Sequence, residues 1–141
     1  MYPLTTCNFL VEIDGMVSIG FSEVNGLSAS VDVIDFKEGS SPENAVVKLP
    51  GLRKFSNVTL KRGIVKGNNE FYNWFASSQE KADRRNVAIK LLDEEKNLVM
   101  QWLLYNAFPA KISYSGLNAS ANELVLEELE LAYENLKVEM L

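Results

Sequence analysis

The sequence predicts a mainly β protein with one short α-helix, folded as a two-sheet sandwich or flattened barrel. Three observations carry that expectation. Apolar and polar residues alternate with period two in about seven or eight separate segments. Only one stretch places aromatic side chains at helical spacing, Phe71, Trp74 and Phe75. And 141 residues, 47% hydrophobic and 23% charged with 8 Gly and 4 Pro, suit one domain whose core needs no disulfide.

Taken in order, Phe9, Val11 and Ile13 share one strand face, and Asp14-Gly15 follows as a two-residue hairpin signal of type I′. Val17, Ile19 and Phe21 alternate on the expected returning strand, and Asn25-Gly26 marks the next turn. Ala29, Val31 and Val33 then alternate on one face with Ile34 and Phe36 on the other, the pattern of a long strand covered on both sides. Val58 and Leu60 define a strand that ends near Gly63. Asn68 or Asn69 offers an N-cap for a helix from about 69 to 76, extending to 81 at most. Its aromatic stripe reads as core rather than as a ligand cage. Asp83-Arg84-Arg85 reads as a solvated turn, and Val87, Ile89 and Leu91 as a strand.

A polar turn at 93–97 leads into Leu98 to Phe108, apolar on both faces and hence a central strand. Pro109 should end or bend it before Ile112 and Tyr114 continue the sheet. The segment from Asn122 to Leu141 is rich in Glu and Leu, which favours helix by propensity. Yet Leu129, Leu131 and Tyr133 alternate with glutamates, so strand is the better reading. Leu136, Val138 and Met140 fall on the opposite parity, and a bulge or turn near Glu134-Asn135 would restore their facing.

Residues 38–52 break the pattern, punctuated by Gly39, Pro42, Pro50 and Gly51. A loop of this length is uncommon in a small domain and usually functional. It carries Ala45, Val46, Val47 and Leu49, which either pack on another molecule or fold back on the chain's own core.

Chemistry is poorly provided for. With no histidine, Ser-His-Asp and Cys-His systems and imidazole metal sites are impossible. Cys7 is the sole cysteine, which excludes an internal disulfide and a zinc cluster, and reads as a small apolar side chain. Gly63 and Gly67 lack the rest of a phosphate-binding loop. Glu94-Glu95 sits in a turn and Glu127-Glu128 on a strand, where neighbours face opposite ways, so neither forms an acid–base dyad. Neither a catalytic residue nor a cofactor is expected. The net charge of −5 disfavours nucleic acid, although residues 51–90 are net basic between two acidic segments. No stretch spans a bilayer, and the N-terminal run has no basic residue of the kind a secretory signal uses. A β domain with unpaired edges, an apolar projecting loop and separated charge has the features of a self-assembling part.

Several stretches carry a resemblance to a known family. They are Phe21-Ser22-Glu23-Val24-Asn25-Gly26-Leu27, Phe36-Lys37-Glu38-Gly39-Ser40-Ser41-Pro42-Glu43, Lys48-Leu49-Pro50-Gly51 and Val58-Thr59-Leu60-Lys61-Arg62-Gly63. Asn69-Glu70-Phe71-Tyr72-x-Trp74, Arg84-Arg85-Asn86-Val87-x-Ile89 and Leu129-Glu130-Leu131-Ala132-Tyr133-Glu134 continue them in order. Together they resemble the tail tube proteins of contractile phages, most closely the inner-tube subunits of phage-tail-like extracellular contractile injection systems. The resemblance implies one tail-tube domain over 1–141, with a protruding inter-ring loop at about 38–52. It implies homohexameric rings stacked into a hollow, non-enzymatic tube that a contracting sheath drives through a target envelope. The implied partners are further copies of the chain, sheath protein, baseplate hub or spike and tube-initiator proteins, with the lumen as space for cargo. No nucleic-acid specificity and no stable membrane insertion are implied. Assembly in the bacterial cytoplasm, followed by release in a particle, is the implied location. The implied interface residues are Glu38, Gly39, Ser40, Ser41, Pro42 and Glu43, flanked by Pro50, Gly51, Arg53 and Lys54. An initiator or adaptor ring joining tube to spike hub is the alternative within the family, and a monomeric ligand-binding β-sandwich the alternative outside it.

Overall fold

The computed structural model describes residues 4, 8–16, 20–37, 39, 46–80 and 83–141, with the Glu80 side chain left aside. Nine strands and one helix follow one another among these residues: β1 (Phe9–Ile13), β2 (Glu23–Asn25), β3 (Ala29–Phe36), β4 (Val47–Phe55), β5 (Val58–Gly63), α1 (Glu70–Glu80), β6 (Arg85–Leu92), β7 (Leu98–Tyr114), β8 (Leu126–Ala132) and β9 (Asn135–Met140). Seven strands run in the order β1-β6-β7-β8-β5-β2 with β9 also on β7, while β3 and β4 form a separate two-stranded sheet. The mainly β, two-sheet expectation with one helix is therefore met, and the barrel is not closed.

The long strand β7 organises the body. Its first half lies between β6 and β9, with Ile89 opposite Trp102 and Trp102 opposite Val138. Its second half pairs with β8, from Phe108 opposite Ala132 to Tyr114 opposite Glu127. Between the halves Asn106 adopts φ 55°, a left-handed conformation that asparagine tolerates better than most residues. The Asn106 N–H donates to Asn86 Oδ1 at 3.2 Å, so the kink stays hydrogen-bonded. Pro109, expected to end or bend the strand, lies inside it beside a register shift, because a bulge accommodates a residue that cannot donate.

Inward positions obey the period-two reading. Val11 and Ile13, Val58 and Leu60, Val87 and Ile89, and Leu129 and Leu131 are buried together with Leu104 and Ala107. The helix adds Phe71 and Trp74 to this core, as the aromatic stripe predicted. Asn68 caps it, accepting from the Glu70 N–H at 3.1 Å. The break at Tyr133-Glu134 shifts parity by one, so Leu136 faces the core opposite Leu104. Val138 and Met140 share that face but lie beyond the core and are exposed.

Four expectations need correction. The turn at Asp14-Gly15 is not type I′, since Gly15 alone has positive φ (79°) and the Met16 N–H donates to Ile13 O. The returning strand expected after it falls on Val17 and Ile19, which lie outside the described residues; among those described, β1 pairs with β6 and β2 with β5. Asp83-Arg84-Arg85 is no free turn: Trp74 Nε1 donates to Asp83 O at 2.9 Å, and the Arg84 guanidinium sits over the Phe108 ring. The loop placed at 38–52 is strand from Val47 onward. The fourth correction concerns β3, the strand expected to be covered on both sides: every one of its residues is exposed.

Candidate assembly interface

Strands β3 and β4 form an arm that leaves the body after Leu27 and returns at Phe55, whose ring meets Tyr133 at 5.7 Å. Apart from that root, the two strands pack chiefly on each other. Their register pairs Ala29 with Phe55, Val31 with Arg53, Val33 with Pro50, Ile34 with Leu49 and Phe36 with Val47. Between Val31 and Val33 the partner strand holds two residues against Asp32, which makes a bulge at Gly51-Leu52. A Cβ on Gly51 would come within 3.0 Å of Asp32 O and 3.2 Å of the Ile34 side chain, so close packing there calls for glycine.

Residues directly opposite share a face. One face carries Val31, Val33 and Pro50 with the Lys48–Asp35 ion pair (3.0 Å); the other carries Ile34, Phe36, Val47 and Leu49 with Lys54–Asp32 (3.1 Å). Val33 is 60% exposed and Leu52 74%. Both ion pairs lie in solvent, where each contributes less than about 1 kcal/mol. An isolated two-stranded ribbon is marginal in water, and this one presents apolar side chains on both faces. Among the described residues, nothing outside the arm covers either face.

Of the residues expected at the interface, Pro50, Gly51, Arg53 and Lys54 stand on β4 and Gly39 is exposed in a turn beyond β3. Glu38, Ser40, Ser41, Pro42 and Glu43 lie outside the described residues. The exposed apolar residues that stand beside those of β4, and that the sequence placed in the core, are on β3: Val31, Val33, Ile34 and Phe36. Their alternation on both faces was the available signal, but it read as burial within one chain.

The body behind the arm is held by a buried ion pair. Arg62 and Glu127 are directly opposite in the β5–β8 ladder, only 3% and 4% exposed, with Arg62 Nε donating to Glu127 Oε1 at 3.0 Å. The guanidinium also lies 3.6 Å from the Phe71 ring centroid, which ties β5 and β8 to α1. Elsewhere the Arg85 guanidinium and then the Ser77 hydroxyl hold the Asp83 carboxyl below the usual aspartate range. Among the described residues no group of three or more His, Cys, Asp or Glu could hold a metal ion, and no helix is long and apolar enough to cross a membrane.

An apolar arm projecting from an open β body offers a surface for contact with other chains. The chain belongs to the family of the T4-like virus tail tube protein gp19, whose model matches residues 5–137. Among solved structures it is similar to a chain of the anti-feeding prophage cap (the AFP tube terminating cap), 26% identical with a TM-score of 0.90, covering 100% of this chain and 93% of that one. It is likewise similar to a chain of the PVC sheath-tube complex of an extracellular contractile injection system in the extended state, 27% identical with a TM-score of 0.89, covering 99% and 93%. Hcp1 from Flavobacterium johnsoniae shares the fold at 11% identity, with a TM-score of 0.59 and coverage of 92% and 93%. No curated protein matches the chain by sequence. The family is one of tail tube proteins, and one of the neighbouring structures is a sheath-tube complex.

Proposed function

We propose that this chain is the inner-tube subunit of an extracellular contractile injection particle. Six copies close a ring, rings stack into a hollow tube, and sheath contraction drives that tube through a target envelope. The observation that carries this reading is the β3–β4 arm, which exposes Val31, Val33, Ile34 and Phe36 to solvent unless further copies cover them. The match to a sheath-tube complex at 27% identity over 99% of the chain supports sheath protein as a partner. A comparable match to a chain of a sheath/tube terminator complex, 28% identical, supports contact with terminal components as well. Baseplate hub and spike partners, and a lumen able to hold cargo, follow from the same reading.

Negative-stain electron microscopy of the purified protein well above micromolar concentration tests it. Hollow rings and tubes of uniform diameter are the expected result. A monodisperse monomer at every concentration would overturn the reading. Single rings that never stack, even when hub protein is added, would favour the adaptor ring instead.

A further inference from the structure

The arm has little of its own to keep it paired. Every residue of β3 is exposed, as is all of β4 except Gly51 and Phe55. Body strands such as β5 and β8 bury every second residue instead. Midway along the ribbon Val33 stands opposite Pro50, which has no N–H to donate, and the Gly51-Leu52 bulge follows. The Lys48–Asp35 and Lys54–Asp32 pairs lie in solvent and add little.

The root is loose as well. The Ser28 hydroxyl donates to Ser56 Oγ, which donates in turn to Gly26 O, and all three residues are exposed. Phe55 packs on Tyr133, the ring centroids 5.7 Å apart. The Tyr133 hydroxyl is buried and has no hydrogen-bond partner among the described residues. An unsatisfied buried hydroxyl opposes the packing that holds the root closed.

We infer that the arm is an order–disorder switch: in the free subunit β3 and β4 separate on a body that stays folded, and burial against further copies pairs them. The inference rests on the tube reading and names what regulates its first step. A ribbon paired in advance would offer apolar faces to any contact, whereas one that pairs only on burial meets the entropy cost of ordering at that moment. A lone encounter between two subunits then gains too little to persist. A ring already in place supplies the complementary surface at once, so growth starts from a template and free subunits stay apart.

Hydrogen–deuterium exchange on the wild-type subunit, kept below the concentration at which it assembles, reads the switch. Amides of β3 and β4 should exchange at least about 100-fold faster than those of β5, β7 and β8, and become protected in tubes. Arm amides as protected as body amides in the free subunit would overturn the inference and leave the tube reading intact. Wild-type protein that assembles under no condition would overturn the tube reading and the switch with it.

Two variants test the consequence for assembly. Asp35→Cys with Lys48→Cys, in a Cys7→Ser background, places thiols at opposite positions, where a Cα separation of about 4.5–5.5 Å suits a disulfide. The replaced side chains are charged and solvated, so the apolar side chains of the arm remain. Oxidised, this protein should assemble at a concentration at least about tenfold lower, and with a shorter lag, than the same protein reduced. Tyr133→Phe leaves the arm untouched and removes the unsatisfied hydroxyl. It should slow exchange of the arm amides at least about fivefold and lower the assembly concentration, the reverse of losing a useful core hydrogen bond. Equal assembly by oxidised and reduced protein, or weaker assembly by Tyr133→Phe, would overturn the inference.

Discussion

Replacing Glu127 by alanine should be among the most destabilising single changes in the body of this protein. Its carboxylate is the hydrogen-bonded partner of Arg62 at 3.0 Å, and both side chains are almost fully withdrawn from water. Removing one member leaves a guanidinium buried without its counter-charge, with a 3.5 Å contact to Asn68 Oδ1 and the Phe71 ring as its remaining company. Breaking a buried pair in this way costs about 3–5 kcal/mol, a large share of the roughly 5–15 kcal/mol that holds a domain together. In urea, with a slope of about 2 kcal/mol/M, the midpoint should fall by about 1.5–2.5 M. The Arg62→Met, Glu127→Leu double variant fills the same space without charge and should come within about 2 kcal/mol of wild type or exceed it. Salt should leave the difference between Glu127→Ala and wild type unchanged, because a buried pair is little screened. A cost below about 1 kcal/mol, the value of a solvated surface pair, would refute the reasoning, as would closure of the gap in 1 M salt.

Two further outcomes are expected. Asp83→Asn should cost about 1 kcal/mol at neutral pH, since Arg85 donates twice to that carboxylate at 3.2 Å and Ser77 once at 2.6 Å. Because the Asp83 pKa is lowered in the folded state, its contribution is present above the ordinary aspartate value and fades as pH falls through the lowered one. Denaturation curves of variant and wild type should therefore converge below about pH 4, and a gap that widens on acidification would contradict the assignment. Gly26→Ala should destabilise by at least about 1–3 kcal/mol, because Gly26 has φ 96° and a Cβ there would run into the Asn57 carbonyl. Gly26 lies at the root of the arm, so tube formation should fail in this variant at concentrations where the folded subunit persists; tubes of normal yield would contradict that.

What the strands are was largely legible in the residues, because side-chain alternation is a local property. Val58 and Leu60, Val87 and Ile89, and Leu129 and Leu131 each announce a buried face, and Phe71, Trp74 and Phe75 announce the helix stripe. The same arithmetic extended one step further reaches the buried ion pair. Arg62 follows Val58 and Leu60, and Glu127 precedes Leu129 and Leu131, on the inward parity of their strands, so opposite charges at inward positions were a visible sign.

Pairing was not legible, since β1 finds β6 and β2 finds β5 across long stretches of chain, and a local turn signal at Asp14-Gly15 says nothing about a distant edge. Nor was the end of a strand: Pro109 looks like a stop, but a bulge and a kink at Asn106 let β7 run for 17 residues and change partners midway. The arm marks the deepest limit. Val31, Val33, Ile34 and Phe36 declare by themselves only that they avoid water. Whether the cover comes from the same chain or from another depends on where the neighbouring strands go, and tertiary structure alone decided that none of the described strands of the body reaches them. Hydrophobicity is a property of a side chain, whereas burial is a relation between surfaces, and that relation exists only once the chain has folded.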